Sequence, residues 1–333
     1  QPSQTTSMER DNPSTTKTDD GSSSSVEPNN MSIERRVLES TPILESFGNA
    51  RTVRNDNSSR FGKYIEMKFA SSSSRSPSNT KVLPAANLVG ASIETYLLEK
   101  VRLVHQAYGE RNYHIFYELF SMKYINDDGS EDLLNQFGLL DYDMEDFALI
   151  NTSDTYDRRD GVSDADTFRD MKHAMCAMGI PTIEQHSVFA VCCAFLHASN
   201  LDFVNIGEVE CALNMDNPHL EYVVNLLGIT RDGLNKALCY YEITVGRGAK
   251  GDETHRRELS QDQAMKGVEA LIKATYGAMF KYLVDRINAS IAGDNNEISA
   301  GSSSRPKGRN NGRNAMIGIL DIFGFESFQV NSF

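Results

Sequence analysis

Apolar positions at helical spacing dominate the middle of the chain. Across residues 164–178, Phe168, Met171, Met175 and Met178 fall on one stripe, which predicts an amphipathic helix stopped by Gly179-Ile180-Pro181. A methionine stripe of this kind reads as core rather than as a cofactor box. Thr182 with Gln185 predicts a capping box for the next apolar helix, through about Leu196. Ser260 with Gln263 predicts another, for a longer helix in which Val268, Leu271, Ile272, Met279, Leu283 and Ile287 recur. His114 lies in the apolar segment YHIFYELF and is read as a satisfied core or capping group rather than a catalyst. Two stretches read as strands. In YIEMKF, Ile65, Met67 and Phe69 alternate with Glu66 and Lys68. Met316 to Leu320 is a continuous apolar run that predicts a central strand buried on both faces and ending at Asp321.

Between these elements the pattern breaks down. Residues 1–32 are Ser, Thr, Asp, Asn and Pro with almost no apolar positions, and are expected to form a disordered surface loop. The run SSSSRSPSNT at 71–80 interrupts a strand region, and residues 291–315 read as a flexible insertion. The expected domains are therefore 1–32, a body over 33–290, the insertion 291–315, and a strand with the start of a helix over 316–333.

Composition narrows the function classes. The chain has 333 residues, 40% hydrophobic and 24% charged, the balance of a soluble globular protein. No run of about 18 apolar residues is present, so no membrane span is expected. The first residue is Gln and the first ten are polar, which reads as a fragment or processed start without a signal peptide. Cytoplasm is the expected compartment, with Cys176, Cys192, Cys193, Cys211 and Cys239 reduced and the sequon at Asn57 without meaning for glycosylation. His173 and Cys176 lack the second ligand pair that zinc would need. A net charge of −13 argues against nucleic acid as the main ligand, and the basic run at Arg305, Lys307, Arg309 and Arg313 reads as a solvated insertion.

Two polar motifs carry the candidate chemistry. An ionised Asp321 at the mouth of a buried strand needs a partner, and a hydrated metal ion is a good one. Gly324 lets the backbone approach a bulky anion, with its N–H free for an oxygen, and Glu326 adds a second carboxylate. The run RNDNSSRFGK (54–63) offers hydroxyls for magnesium and for ordering a water, amides for phosphates, and an arginine for Glu326. Together these parts suit phosphoryl transfer from a nucleotide: positioning, magnesium, and exclusion of bulk water. Taken singly, each could equally be a polar turn or a strand end with a turn glycine.

In longer stretches the sequence resembles the myosin motor domain. Asn55 to Lys63 is similar to its switch I, and Asp321-Ile322-Phe323-Gly324-Phe325-Glu326 to its switch II. PILESFGNARTVRN resembles the lead into switch I, ASIETYLLEKVRLVHQAYGERNYHIFYELF the strand and helices after it, and SFQVNSF the start of the relay helix. The resemblance runs from about residue 33 to 333. It departs at Ser46, Arg51, Val101 and the insertions, which leave the myosin class open. It implies an α/β fold in which some strands of a P-loop NTPase-type mixed sheet stand beside a large, mainly helical upper subdomain. It implies an actin-based, actin-activated ATPase motor using ATP and Mg2+, in the cytoskeleton, with light chains or calmodulin bound elsewhere in the parent.

Residue by residue, the resemblance implies that Ser59 ligates magnesium and Ser58 joins the network around the attacking water. Asn55 and Asn57 would lie on the phosphate side, Asn55 the more direct contact. Asp321 would hold magnesium through water, Gly324 would bond the γ-phosphate, and Arg60 and Glu326 would close the pocket as an ion pair. No P-loop motif, G-x-x-x-x-G-K-S/T, occurs in the chain, so it is expected to be an internal piece, inactive alone. Gly246-x-Gly248-x-x-Gly251 matches a dinucleotide fingerprint after a strand-like segment, yet no immediate helix follows. By resemblance this stretch is a hairpin-like loop at the actin-binding edge, where Arg247, Lys250, Arg256 and Arg257 face acidic actin and Glu253 fills an acidic position. A kinesin-like motor fits less well, because Phe61-Gly62-Lys63 and Phe323-Gly324-Phe325 depart from its switches. A scaffold protein with a degenerate motor fold is the alternative from another class.

Overall fold

The computed structural model describes residues 31–71, 86–125, 129–245, 253–293 and 315–322, with backbone alone at 71, 86, 243–245 and 253–256. The first described elements are two short helices, α1 (Ile33–Glu39) and α2 (Thr41–Gly48). The Ser32 hydroxyl caps α1, and Pro42 sits in the first turn of α2, where its missing N–H leaves no bond unmade. α2 runs directly into β1 (Asn49–Ala50), which pairs antiparallel with β2 (Ser58–Ser59). β3 (Gly62–Ser71) and β4 (Ala86–Tyr96) then form a long antiparallel pair, from Gly62 opposite Tyr96 to Ser71 opposite Ala86.

A mainly helical body comes next: α3 (His114–Ser121), α4 (Ser130–Gln136), α5 (Ala148–Asn151), α6 (Asp164–Ala177) and α7 (Thr182–Ala198). A small hairpin of β5 (Phe203–Asn205) and β6 (Cys211–Leu213) leads to α8 (Leu220–Leu227) and α9 (Arg231–Cys239). A second hairpin, β7 (Tyr240–Val245) with β8 (Glu253–Glu258), precedes α10 (Gln261–Ile291). β9 (Ala315–Asp321) returns to the sheet beside β3, giving the antiparallel order β4-β3-β9.

α10 ties the helical body to the sheet. Its Tyr276 is fully buried, stacks on Tyr113 at 5.1 Å, and donates its hydroxyl to the Phe47 carbonyl at 2.8 Å. Near its other end, the Asn288 side chain accepts from the Ile93 N–H at 2.7 Å and donates to the Ile93 carbonyl at 2.8 Å. One amide side chain thus satisfies two backbone groups on the outer edge of β4, a place where open strand groups invite stray pairing.

The predicted helices form. Phe168, Met171, Met175 and Met178 are buried, and Gly179 ends their helix with a φ of +72°, a conformation a Cβ would strain. The Ser260–Gln263 capping box is present in both directions. The box expected from Thr182 is not. Pro181 takes the cap position, Thr182 starts the helix, and the buried Gln185 instead donates to the Ile180 carbonyl at 2.9 Å and the Cys176 sulfur at 3.3 Å. The apolar run at 316–320 does form a strand, but not a central one. Among the described residues it lies at the edge of the sheet, and all seven residues of β9 are exposed. Its hydrophobicity is coded for cover that the described residues do not supply.

The chain is thus of mixed α/β class, small antiparallel sheets beside a mainly helical body. Of the expected domain limits, 1–30, 72–85 and 294–314 lie outside the described residues, while α10 extends to Ile291 and β9 begins at Ala315. The Gly246 to Gly251 fingerprint lies outside them too, and the strands flanking it form a hairpin, not the first turn of a βαβ unit. No helix among the described residues is long and apolar enough to cross a membrane.

Candidate functional site

The hydroxyl-rich run is a loop drawn shut by a ladder. Asn49 pairs with Ser59 and Ala50 with Ser58, so residues 51–57 must fold back between them. Inside the loop the Thr52 N–H donates to the Asn55 carbonyl at 2.8 Å, and the Asn55 N–H returns to the Thr52 hydroxyl at 3.1 Å. The Asn55 side chain then accepts from the Asn57 N–H at 2.9 Å, an Asx turn. The Arg60 N–H donates to the Gly48 carbonyl at 2.8 Å, and the Arg60 carbonyl accepts from the Glu99 N–H at 2.9 Å. Gly48 is required here, because a Cβ would lie 2.3 Å from the ring of Phe61, itself buried edge-on against Phe280.

The loop is fastened from outside by Arg159 and Asp157, which sequence reasoning did not single out. Arg159 donates from its side chain to the Thr52 carbonyl at 2.7 Å, the Val53 carbonyl at 2.9 Å and Asp56 at 3.0 Å. Arg51 reaches Asp157 at 2.7 Å and Asp56 at 3.6 Å. Burial alone would raise the Asp56 carboxyl, but its hydrogen bonds and charge attraction to Arg159 outweigh that and hold it below the usual range. No periodicity marks Arg159, which stands more than a hundred residues away in a loop.

The side chains of Ser58, Ser59, Arg60 and Asn57 in the hydroxyl-rich run each have a definite partner. Ser59 donates its hydroxyl to the Phe61 carbonyl at 3.0 Å. The Ser58 hydroxyl accepts from Arg60 at 3.2 Å. Arg60 lies bidentate on Glu99, a partner not expected from sequence, at 2.8 and 3.1 Å, and has further contacts. Asn57, expected on the phosphate side, makes the following contacts. Its side chain is committed inward, donating to Glu45 at 3.0 Å and accepting from Asn49 at 2.9 Å, with His114 at 3.2 Å. The expectation for His114 as a satisfied core group holds on that one nitrogen, while its Nδ1 has no partner.

Sheet register brings the second motif to the first. Asp321, the last residue of β9, stands opposite Lys63, with 3.8 Å between carboxylate and ammonium. Lys63 follows Ser59 by four residues, so the strand-end carboxylate and the hydroxyl loop share one end of the sheet. A serine hydroxyl and a carboxylate are hard oxygen donors, the set that suits magnesium. Gly324 and Glu326 lie outside the described residues, as do Arg247 and Lys250. Glu253 and Arg256 lie on β8, where only backbone is described, and Arg257 is an exposed residue opposite Tyr241.

A hydroxyl-rich loop and a strand-end aspartate thus share one end of the sheet in a mixed α/β chain with a large helical body. Residues 15–333 match the family described as Myosin head (motor domain). Myosin-J heavy chain of Dictyostelium discoideum is 39% identical over 310 residues, covering 92% of this chain and 12% of that protein. Myosin-6 of Arabidopsis thaliana is 35% identical over 91% of the chain and 17% of its own length. Myosin IC heavy chain of Dictyostelium discoideum is 37% identical over 89% of the chain and 22% of its own length. The chain belongs to the myosin motor-domain family, and it spans less than a quarter of the length of these relatives.

Proposed function

We propose that this chain supplies switch I, switch II and the upper actin-facing body of an actin-based motor ATPase, working in the cytoplasm on actin filaments. The observation that carries the reading is the register of Lys63 opposite Asp321, which sets the end of β9 beside the loop of Ser58, Ser59 and Arg60. Bound Mg2+ and ATP would supply the electrophilic phosphoryl group and neutralise its charge. Ser59 and Asp321 would hold the ion, the aspartate through water. Asn55 and the N–H of Gly324 would contact the phosphates, and Ser58 would orient the attacking water. Asn57 would act one step removed, by fixing the loop. Arg60 and Glu326 would close the site against bulk water, a step that strengthens every charge contact inside it.

The exposed apolar faces of β9 support a larger sheet, with the missing strands and a phosphate-gripping P-loop supplied by other parts of a longer protein. On that view the chain alone does not hydrolyse ATP. The β7–β8 hairpin and the residues around its tip, Arg247, Lys250, Glu253, Arg256 and Arg257, would meet actin, and light chains or calmodulin would bind elsewhere. Hydrolysis by the full-length motor tests the reading. Arg60→Glu and Glu326→Arg should each abolish turnover, and the double exchange should recover part of it. A double mutant no better than either single one refutes the closing ion pair, and full activity in Asp321→Ala refutes the metal assignment.

A further inference from the structure

A cavity of about 90 Å3 lies between α2, α3 and α6, lined by Glu45, Ser46, Asn57, His114, Glu118 and Arg158 among others. It sits behind the hydroxyl-rich loop, where Asn57 meets Glu45 and His114. Two of its lining residues each carry a buried polar atom with no hydrogen-bond partner among the described residues, His114 Nδ1 and Glu118 Oε2. Both residues are 1% exposed, so bulk water does not serve them. They stand four apart on α3 and therefore share one face. Leaving such a group unmet costs about 1–3 kcal/mol, so two on one wall of a polar cavity ask for an occupant.

The surrounding bonds fix what that occupant must offer. Asn57 Nδ2 donates to the Glu45 carboxylate, so Asn57 Oδ1 is the acceptor that faces His114 Nε2. An acceptor there requires the proton on Nε2. Burial, aided by the charges of Arg111 and Arg158, holds His114 well below its ordinary range, so it carries that proton alone. Nδ1 is then a bare acceptor that needs a donor. Burial pushes the Glu118 carboxyl up to about 7, against hydrogen bonds from Ser46 and Thr167, so near neutrality it offers an O–H for much of the time. The groups around this pair are Glu45 from α2, Arg158 and Asp160 from the preceding loop, Asp164 and Asp170 from α6, and Arg111 ahead of α3. A single molecule able to donate to the imidazole and accept from the carboxyl is water, and the volume holds more than one. Among the described residues no cluster of three or more His, Cys, Asp or Glu side chains that could hold a metal ion is found.

We propose that this cavity is a buried hydration site in which ordered water bridges His114 Nδ1 to Glu118 Oε2, and that through His114 it positions Asn57 and with it the switch I loop. His114 and Glu118 are positioning residues, since neither touches the nucleotide side of the loop. The functional half of the proposal rests on the motor reading above, and the hydration half does not.

A high-resolution crystal structure of the full-length protein is the test, for wild type, Glu118→Leu and Glu118→Gln. Water density joining His114 to residue 118 is expected in wild type and Glu118→Gln, and its loss in Glu118→Leu. There the Asn57 side chain should also leave His114. Glu118→Leu should melt close to wild type, because it removes a buried carboxyl along with its water. ATP turnover should nevertheless fall by roughly tenfold to a hundredfold, the scale of a misplaced reacting group, with Glu118→Gln restoring most of it. A dry cavity in wild type overturns the proposal whether or not the leucine variant folds. Unchanged turnover and an unmoved Asn57 in Glu118→Leu overturn the positioning role. A wild-type protein that binds no Mg·ATP overturns the motor reading instead, and leaves the water and Asn57 readouts to decide this one.

Discussion

Arg60 lays its guanidinium across the Glu99 carboxylate, Nε to Oε2 at 2.8 Å and Nη2 to Oε1 at 3.1 Å, while Arg102 Nε meets the same Oε2 at 2.7 Å. Burial alone would raise the Glu99 carboxyl, yet the two arginines outweigh it and hold it below its usual range. A bidentate pair of this kind fixes both the position and the plane of the arginine. Arg60 is therefore held in a defined orientation by a residue on the strand-end turn after β4, whatever it does toward Glu326.

Glu99→Gln should consequently loosen the hydroxyl-rich loop without unfolding the chain. The carboxylate is partly exposed, so the stability loss is expected to be ~1 kcal/mol by urea denaturation. In the full-length motor the KM for ATP should rise several-fold. An unchanged midpoint together with an unchanged KM would show that Glu99 does not hold Arg60 in solution.

Arg159 anchors the same loop from the opposite side, through two backbone carbonyls and Asp56. Lysine keeps the charge but cannot span three acceptors with one planar fork. Arg159→Lys and Arg159→Gln are therefore both expected to speed hydrogen exchange of the amides at 52–57. In a double-mutant cycle with Asp56→Asn, the coupling should be about 0.5–1 kcal/mol, because the arginine is partly in solvent. Wild-type protection of the loop in Arg159→Lys would reduce this contact to an electrostatic one.

Glu118 makes stability depend on pH. Its carboxyl is raised from 4.5 unfolded to about 7 folded, by burial above all. The native state therefore binds more protons than the unfolded state between these values, and the stabilisation present below about 4.5 is lost as pH rises toward 7. The size is on the order of 3 kcal/mol. Glu118→Gln should flatten this part of the pH–stability curve, measured by denaturant midpoints from pH 4.5 to 8. An identical slope in wild type and variant would mean that the carboxyl finds a partner that keeps it ionised.

Several features were legible before any fold was known. The stripe of Phe168, Met171, Met175 and Met178, the capping box at Ser260, and the alternation in YIEMKF each follow from local spacing, because helix and strand periods are properties of a few consecutive residues. Family membership was legible as well, from long motifs in fixed order. The capping box at Thr182 failed for a local reason: the helix starts one residue earlier than the box requires, with Pro181 at the cap position and no side-chain cap, and Gln185 bonds the turn before it.

Sequence alone thus determined the helix of Phe168 to Met178, the helices after Pro181 and Ser260, the strands at YIEMKF and 316–320, and the residue types of the two motifs, since each is written in neighbouring positions. Only the tertiary structure decided which distant groups meet. It set Lys63 opposite Asp321, gave Arg60 to Glu99, turned Asn57 inward to Glu45 and His114, brought Arg159 onto the loop, and put β9 at an edge among the described residues. Those pairings depend on strand register and helix packing between segments tens to hundreds of residues apart, and no short-range pattern encodes them.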